Sequence, residues 1–380
     1  VNTPHPYTVV GAGAIGGTVA WHLARAGHPV TVVDADPAHV AAIAADGIVL
    51  ERAGRRLAQP VTAALTPEQV TAPLGRVLLA VKANATRTAA DWLAGHLAAD
   101  GFVVSLQNGL NEPEIARQVG ADRTVAAFVD LFADVTAPGV ITDGGAGAMA
   151  VGELTGPVTD RIRALAADLR AWGPATASDN VAGFLWAKLG FGAMLTATAL
   201  ADDAMADLLD RHRQAATAVA REIFRVAAAE GVTLEGFDAF EPAAFVAGAD
   251  PAGTGAALDR LVGWLRTQTK TRSGIWRDIA VRRRPTEVPI QYAPVLRAAQ
   301  RHGIDAPVLR ALLGQLAEVE SDPAGMHEDR LRALDRLAAL DRLTGAAVPA
   351  SAELSAGPEL SAGPELLSRS ELSTRPAEPA

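Results

Sequence analysis

The sequence predicts an α/β domain followed by an all-α domain, and three observations carry that prediction. Short Val-rich runs alternate with Ala-rich helical stretches through the first third of the chain. The runs Arg76–Val81 and Phe102–Leu106 are apolar apart from Arg76 and Ser105. They lack the alternation of a half-exposed sheet, as expected of parallel strands covered on both faces. From about residue 182 to residue 343 nearly every stretch is helix-compatible, with punctuation at Gly231, Pro242, Gly303 and Pro323.

The elements then follow in order. Tyr7–Val10 reads as a strand, Ile15–Ala26 as a helix, Val30–Val33 as a second strand and Pro37–Asp46 as a second helix. Asp36, just before Pro37, is the expected cap of that helix. Strands alternating with helices imply right-handed βαβ crossovers. Between Val125 and Glu153 the texture changes to β-prone pieces split by Pro138-Gly139 and the Gly144–Gly147 cluster, read as antiparallel strands closing one edge of the sheet. The joint is placed near residue 178, giving domains at 1–177 and 178–343. In the tail, 344–380, Glu353–Pro358 recurs as Glu359–Pro364. A Pro- and Gly-bearing repeat cannot build a packed core, so disorder is expected there.

Composition removes several function classes. The chain carries 43 acids against 34 Lys and Arg, a formal charge of −9, which disfavours a nucleic-acid phosphate backbone as partner. Aromatics are 4%, too few for a base-stacking platform. With no cysteine, thiol catalysis, disulfides and Cys-held metals are excluded. The histidines show no metal-ligand spacing, so no metal is expected. Neither a signal peptide nor a membrane-spanning run is read, and a cytoplasmic location is the expectation.

Gly11-Ala12-Gly13-Ala14-Ile15-Gly16 follows the first strand and opens the first helix. Gly11 permits a tight turn, Gly13 lets backbone approach a pyrophosphate, and Gly16 allows close helix–strand packing. With Ala14 and Ile15 at the helix start, this loop is the candidate dinucleotide site, its phosphates facing free N–H groups. Asp34 ends the second strand, where a carboxylate accepts ribose hydroxyls and repels a 2′-phosphate; this weakly favours NADH over NADPH.

A second constellation lies on the carboxyl edge of the sheet and in the first long helix beyond the joint. Lys82 ends one strand and Gln107-Asn108-Gly109 follows the next. Lys188, Gly192 and Thr196 share one face of the Phe184–Thr196 helix. A lysine in so apolar a helix needs a partner or a function.

The glycine fingerprint, Val81-Lys82-Ala83, Gln107-Asn108-Gly109, Trp186-Ala187-Lys188 and Thr286-Glu287, in that order, resemble the ketopantoate reductase family (2-dehydropantoate 2-reductase). The resemblance spans roughly residues 7 to 325. It implies a Rossmann-type domain, a 6-phosphogluconate-dehydrogenase-like helical domain, and NAD(P)H-dependent reduction of a 2-oxo acid, as in pantothenate biosynthesis. It also implies that Lys188 is the catalytic lysine, that Asn108 lies close to cofactor and substrate, that Lys82 lies near the cofactor and that Glu287 lies in the cleft.

The chain departs from the family where substrate is held. Gly192 and Thr196 stand where asparagines are usual, and Ser273-Gly274 replaces a serine pair. One extra residue precedes Glu287, and Pro289 replaces an acid. These changes remove donors and are expected to open space around Gly192, Thr196, Ser273 and Gly274. A different carbonyl or imine as substrate, or a non-catalytic dinucleotide-binding regulator, are the alternatives.

Reduction needs a proton for the developing alkoxide, and the Lys188 ammonium is the expected donor, with Glu287 steadying it by charge pairing. Lys270, Arg272, Arg277 and Arg282–Arg284 surround Ser273. They read first as a solvated helix end, and secondly as a guanidinium grip for a carboxylate. A homodimer is compatible with the helical domain.

Overall fold

The computed structural model describes residues 4–268 and 270–345. The expected tail from residue 346 onward lies outside the described residues.

Ten strands form one sheet. The chain runs β1 (Tyr7–Val10), α1 (Ala14–Arg25), β2 (Val30–Val33), α2 (Pro37–Asp46), β3 (Ile48–Arg52), β4 (Arg55–Gln59), β5 (Ala63–Leu65) and β6 (Leu74–Leu79). It continues through α3 (Thr86–Ala94), β7 (Leu97–Ser105), α4 (Glu112–Val119), β8 (Thr124–Ala137), β9 (Val140–Glu153), α5 (Asp160–Leu169) and β10 (Ala175–Ala177). The strand order is β4-β3-β9-β8-β7-β6-β1-β2-β5, with β10 beside β9. From β5 to β8 every pairing is parallel. Val9, Val32, Val77 and Val104 there are wholly buried, which is why their segments read as unbroken apolar runs.

The sequence reading is corrected at one edge. β8 and β9 do pair antiparallel, but they lie inside the sheet, because β3 adds in parallel to the far side of β9. β3 and β4 form a hairpin at the true edge, turning through Ala53 and Gly54 with φ of 50° and 74°. Two positive φ angles match the right-handed strand twist, and Asn-Gly is the usual signature. Ala-Gly hides that signal, so the hairpin was not legible.

The helices beyond β10 are α6 (Val181–Thr198), α7 (Met205–Arg211), α8 (Arg213–Ala229), α9 (Pro251–Thr267), α10 (Gly274–Ala280), α11 (Val288–Arg301), α12 (Pro307–Ser321) and α13 (Asp329–Gly345). Asn180 caps α6, its Oδ1 accepting the Gly183 N–H at 3.1 Å. α6 is long and apolar enough to cross a membrane, but 72% of it is buried inside the protein. It is the axis of the helical core, and Phe128 and Ala150 from β8 and β9 join that core. Gly190 lets α8 approach, since a Cβ there would stand 2.4 Å from the Phe224 ring. The sheet and the helices therefore close on one another along α6 and β8.

Glu112, at the start of α4, is 5% exposed, and burial pushes its carboxyl up to about 7. A carboxyl raised in the folded state stays protonated at acid pH without cost. Stability is then lost as pH rises from the ordinary value toward 7, by up to about 3 kcal/mol. Glu112→Gln is expected to remove that loss. In urea titrations the variant should gain on the wild type between about pH 5 and about pH 8; a pH-independent difference would refute this.

Candidate active site

The carboxyl ends of β6 and β7, the middle of β8, α6, α10 and the start of α11 enclose a cleft of about 450 Å³. Gly13, Ala14, Ile15, Lys82, Asn108, Lys188, Gly192, Ser273, Gly274 and Glu287 all line it. Gly11, Gly16, Asp34 and Thr196 do not.

The glycine loop forms one end. Gly11 has φ +90°, and a Cβ on it would stand 2.7 Å from the Val81 nitrogen. A Cβ on Gly16 would stand 2.0 Å from the Gly11 carbonyl oxygen, so this glycine is what lets α1 seat on β1. Gly13, by contrast, has nothing within 4 Å of where its Cβ would be. No side chain caps α1, whose free N–H groups open on that space. Asp34 accepts the Ala12 N–H at 2.7 Å and the Asp36 N–H at 2.9 Å, so it holds the loop shut from behind. Asp36 caps α2 as expected. The open face at Gly13 and the uncapped helix end fit a pyrophosphate, and residues 11–16 would hold it.

Lys82 lies three residues past the end of β6, on the loop rather than on the strand. Gln107, two residues past the end of β7, donates to the Val81 carbonyl at 2.8 Å and to Thr86 Oγ1 at 2.7 Å, tying the two loops together. That bracing fixes Asn108. Its Oδ1 accepts from Lys188 Nζ at 2.8 Å, while its backbone carbonyl accepts from Asn111 at 2.9 Å.

Lys188 is half-buried in α6 and points across the domain joint. Its ammonium donates to Asn108 and to the Val129 carbonyl of β8, and lies 5.6 Å from the centre of the Phe128 ring. Burial lowers its pKa below the ordinary lysine value, while Asp130 and Asp238 act in the opposite sense. Asp130 is itself buried, with Oδ2 lacking a hydrogen-bond partner among the described residues. Asp238 is held well above the usual carboxylate range by partial burial and by the Asp130 carboxylate beside it. Neither acid was picked out from sequence. An aspartate in the apolar run Ala126–Phe132 was the available signal for Asp130.

Two expectations are corrected. Glu287 does not pair with Lys188. It accepts from Lys82 Nζ at 2.5 Å and from the Ala83 N–H at 2.6 Å, bridging the β6 loop to the start of α11. The acids facing Lys188 are Asp130 and Asp238. Nor does the change at position 192 open space, because Tyr292 Oη would stand 3.0 Å from a Cβ there. Tyr292 is 2% exposed and donates to the Leu189 carbonyl at 2.8 Å. Thr196 is wholly buried and spends its hydroxyl on the Gly192 carbonyl at 2.8 Å, away from the cleft. Ser273 caps α10, accepting the Trp276 N–H at 3.1 Å, and Gly274 alone leaves open room beside it.

A Gly-rich anion site and a desolvated ammonium held beside an amide share one cleft. Comparison with known proteins gives the family. The family model for ketopantoate reductase PanE/ApbA matches residues 7–156, and the model of its C-terminal domain matches residues 180–320. The chain belongs to the ketopantoate reductase family. Within that family, a 2-dehydropantoate 2-reductase of Mesorhizobium japonicum is 32% identical over 204 residues, covering 48% of this chain and 62% of that relative, just under two thirds of its length. One from Mycobacterium tuberculosis is 27% identical over 323 residues, covering 83% of this chain and 98% of its own. A PanE/ApbA family ketopantoate reductase structure from Ralstonia eutropha superposes with TM-score 0.69 at 28% identity, covering 85% and 100% of the two chains. D-mandelate dehydrogenase in complex with NADH and anilino(oxo)acetate shares the fold, with TM-score 0.71 at 19% identity, covering 83% and 98%. Ketopantoate reductases pair a Rossmann-type sheet domain with a helical domain, as this chain does.

Proposed function

We propose that the chain reduces a 2-oxo acid of the 2-dehydropantoate type to the 2-hydroxy acid with NAD(P)H. The observation that carries this reading is the Lys188 ammonium, held by Asn108 and Val129 in the cleft that the glycine loop opens into. When bound, the cofactor would be held by residues 11–16 and would supply the hydride. Lys188 supplies the proton. Its ammonium, desolvated and fixed by two acceptors, stabilises the charge that develops on the carbonyl oxygen and protonates it. Asn108 orients that ammonium, and its amide NH₂ makes no hydrogen bond among the described residues, so it is free to donate to substrate. Glu287 ties Lys82 and Ala83 to the start of α11 beside the cleft.

Initial rates of NADH and NADPH oxidation with ketopantoate and a panel of other 2-oxo acids test this reading. Oxidation dependent on a 2-oxo acid is expected, and tight cofactor binding without turnover of any member would sink it. Residues 1–177 serve as the cofactor domain and 178–343 as the domain carrying the proton donor. The negative charge of Asp34 favours the 2′-hydroxyl of NADH over the 2′-phosphate of NADPH. Comparing kcat/KM for the two cofactors checks this, and a clear NADPH preference would contradict it. A cytoplasmic location and a homodimer belong to the same reading. A ketopantoate reductase from Staphylococcus aureus described as dimeric shares the fold, with TM-score 0.63 at 18% identity.

A further inference from the structure

The end of the cleft away from the glycine loop is strongly basic, although the chain as a whole is acidic. Lys270, Arg272, Arg277, Arg282 and Arg284 line it, facing Asp134 and Asp278. Asp134 is shared by two guanidiniums, Arg277 at 2.6 Å and Arg282 at closer range. Asp278 is likewise shared, by Arg282 at 2.8 Å and Arg284 at 2.9 Å. Arg272 is occupied elsewhere, with Asp202 at 2.8 Å and the Trp276 ring at 4.9 Å.

Lys270 is left over. It is half-buried, and burial together with Arg277 and Arg282 disfavours its charge, with Asp134 acting in the opposite sense. It has no hydrogen bond or ion pair among the described residues. Four cations, Lys270, Arg277, Arg282 and Arg284, meet two carboxylates here, Asp134 and Asp278, so the site is short of negative charge.

The substrate's own 2-oxo carboxylate cannot supply that charge. Lys188 is anchored on Val129 and the guanidiniums on Asp134, five residues further along β8. At about 3.3 Å per residue, less for the bulges, the two anchors stand roughly 10 Å or more apart. A carboxylate attached directly to the carbon reduced at Lys188 falls short of that span. The phosphates of the cofactor are drawn to Gly13 at the opposite end.

We propose that Lys270, with Arg277 and Arg282, forms a second anion subsite, and that the substrate is an elongated 2-oxo acid whose far end carries a carboxylate or a phosphate. The open space at Gly274 leaves room for the connecting chain. This proposal rests on the reductase reading above.

The test uses 2-oxo dicarboxylic acids of increasing chain length, each paired with the methyl-ended 2-oxo acid of equal length, plus a phosphate-ended member. Wild type and Lys270→Met are compared. The expected result is a kcat/KM at least about tenfold higher for the anion-ended acid at the fitting length, falling to parity in Lys270→Met. The KM for NADH should not move. The better of the carboxylate- and phosphate-ended members identifies the terminal group. Equal rates within every pair, a preference that survives in Lys270→Met, or a changed cofactor KM would overturn the subsite. If no 2-oxo acid is reduced, the reductase reading fails and calorimetry decides the subsite separately. Binding of the 2-oxo dicarboxylate weakened by Lys270→Met supports it, and equal binding overturns it.

Discussion

Lys188→Met should lower kcat by about a hundredfold to ten-thousandfold while leaving the dissociation constant for NADH near that of the wild type. The substitution keeps the length and apolar stem of the side chain and removes only the ammonium. What disappears is the proton donor and the charge opposite the developing alkoxide, both needed more in the transition state than in the ground state. Cofactor affinity should survive, because residues 11–16, proposed to hold the phosphates, lie on the other side of the cleft. The variant also leaves Asp130 and Asp238 without their cation, so a fall in thermal stability is expected alongside. Methionine at this position with near-normal turnover would overturn the assignment. So would a loss confined to KM.

The second large effect is at the glycine loop, where two neighbouring glycines should respond differently. A Cβ on Gly16 would meet the Gly11 carbonyl at 2.0 Å, Ala80 Cβ at 2.9 Å and Val9 Cγ1 at 3.0 Å. The first and last of these belong to the loop and strand on which α1 is seated, so Gly16→Ala must lift the helix. Destabilisation of about 1–3 kcal/mol is expected, with cofactor affinity lost as well. Gly13→Ala meets no protein atom within 4 Å, so its melting temperature should hold while its added methyl takes up the room proposed for the pyrophosphate. Calorimetric titration of NADH together with thermal melts separates the two. Equal melting temperatures for both variants would contradict the loop's role as derived.

What could be read in the sequence followed from physics that acts locally. Strands β1 and β2 and the second halves of β6 and β7 are largely buried and so are written as Val- and Leu-rich runs. The glycine loop announces itself because Gly11 and Gly16 each answer a separate steric demand. Lys188 stood out as the sole charge in a buried helix. The misread features depend on residues far apart in the chain. Tyr292 fills the space over Gly192 from α11, 103 residues beyond the Leu189 carbonyl it bonds. The partners of Glu287 lie about 205 positions earlier, at Lys82 and Ala83. The basic run around Ser273 reads as a solvated helix end, yet Arg277 and Arg282 turn inward toward Asp134, which sits on β8. No local pattern encodes such a meeting; only the packing of α10 against β8 and α6 does.

The central claim is that the Lys188 ammonium delivers the proton during carbonyl reduction. Its most direct test is the pH dependence of single-turnover NADH oxidation, followed by loss of the reduced-cofactor absorbance in stopped flow. A donor must be protonated to act, and burial lowers this lysine below its ordinary value of 10.5. The rate should therefore be level at neutral pH and fall on the alkaline side, with a midpoint below that value, and the fall should be absent from the residual rate of Lys188→Met. A wild-type rate that stays level through the alkaline range, or the same alkaline fall in the variant, would contradict the assignment.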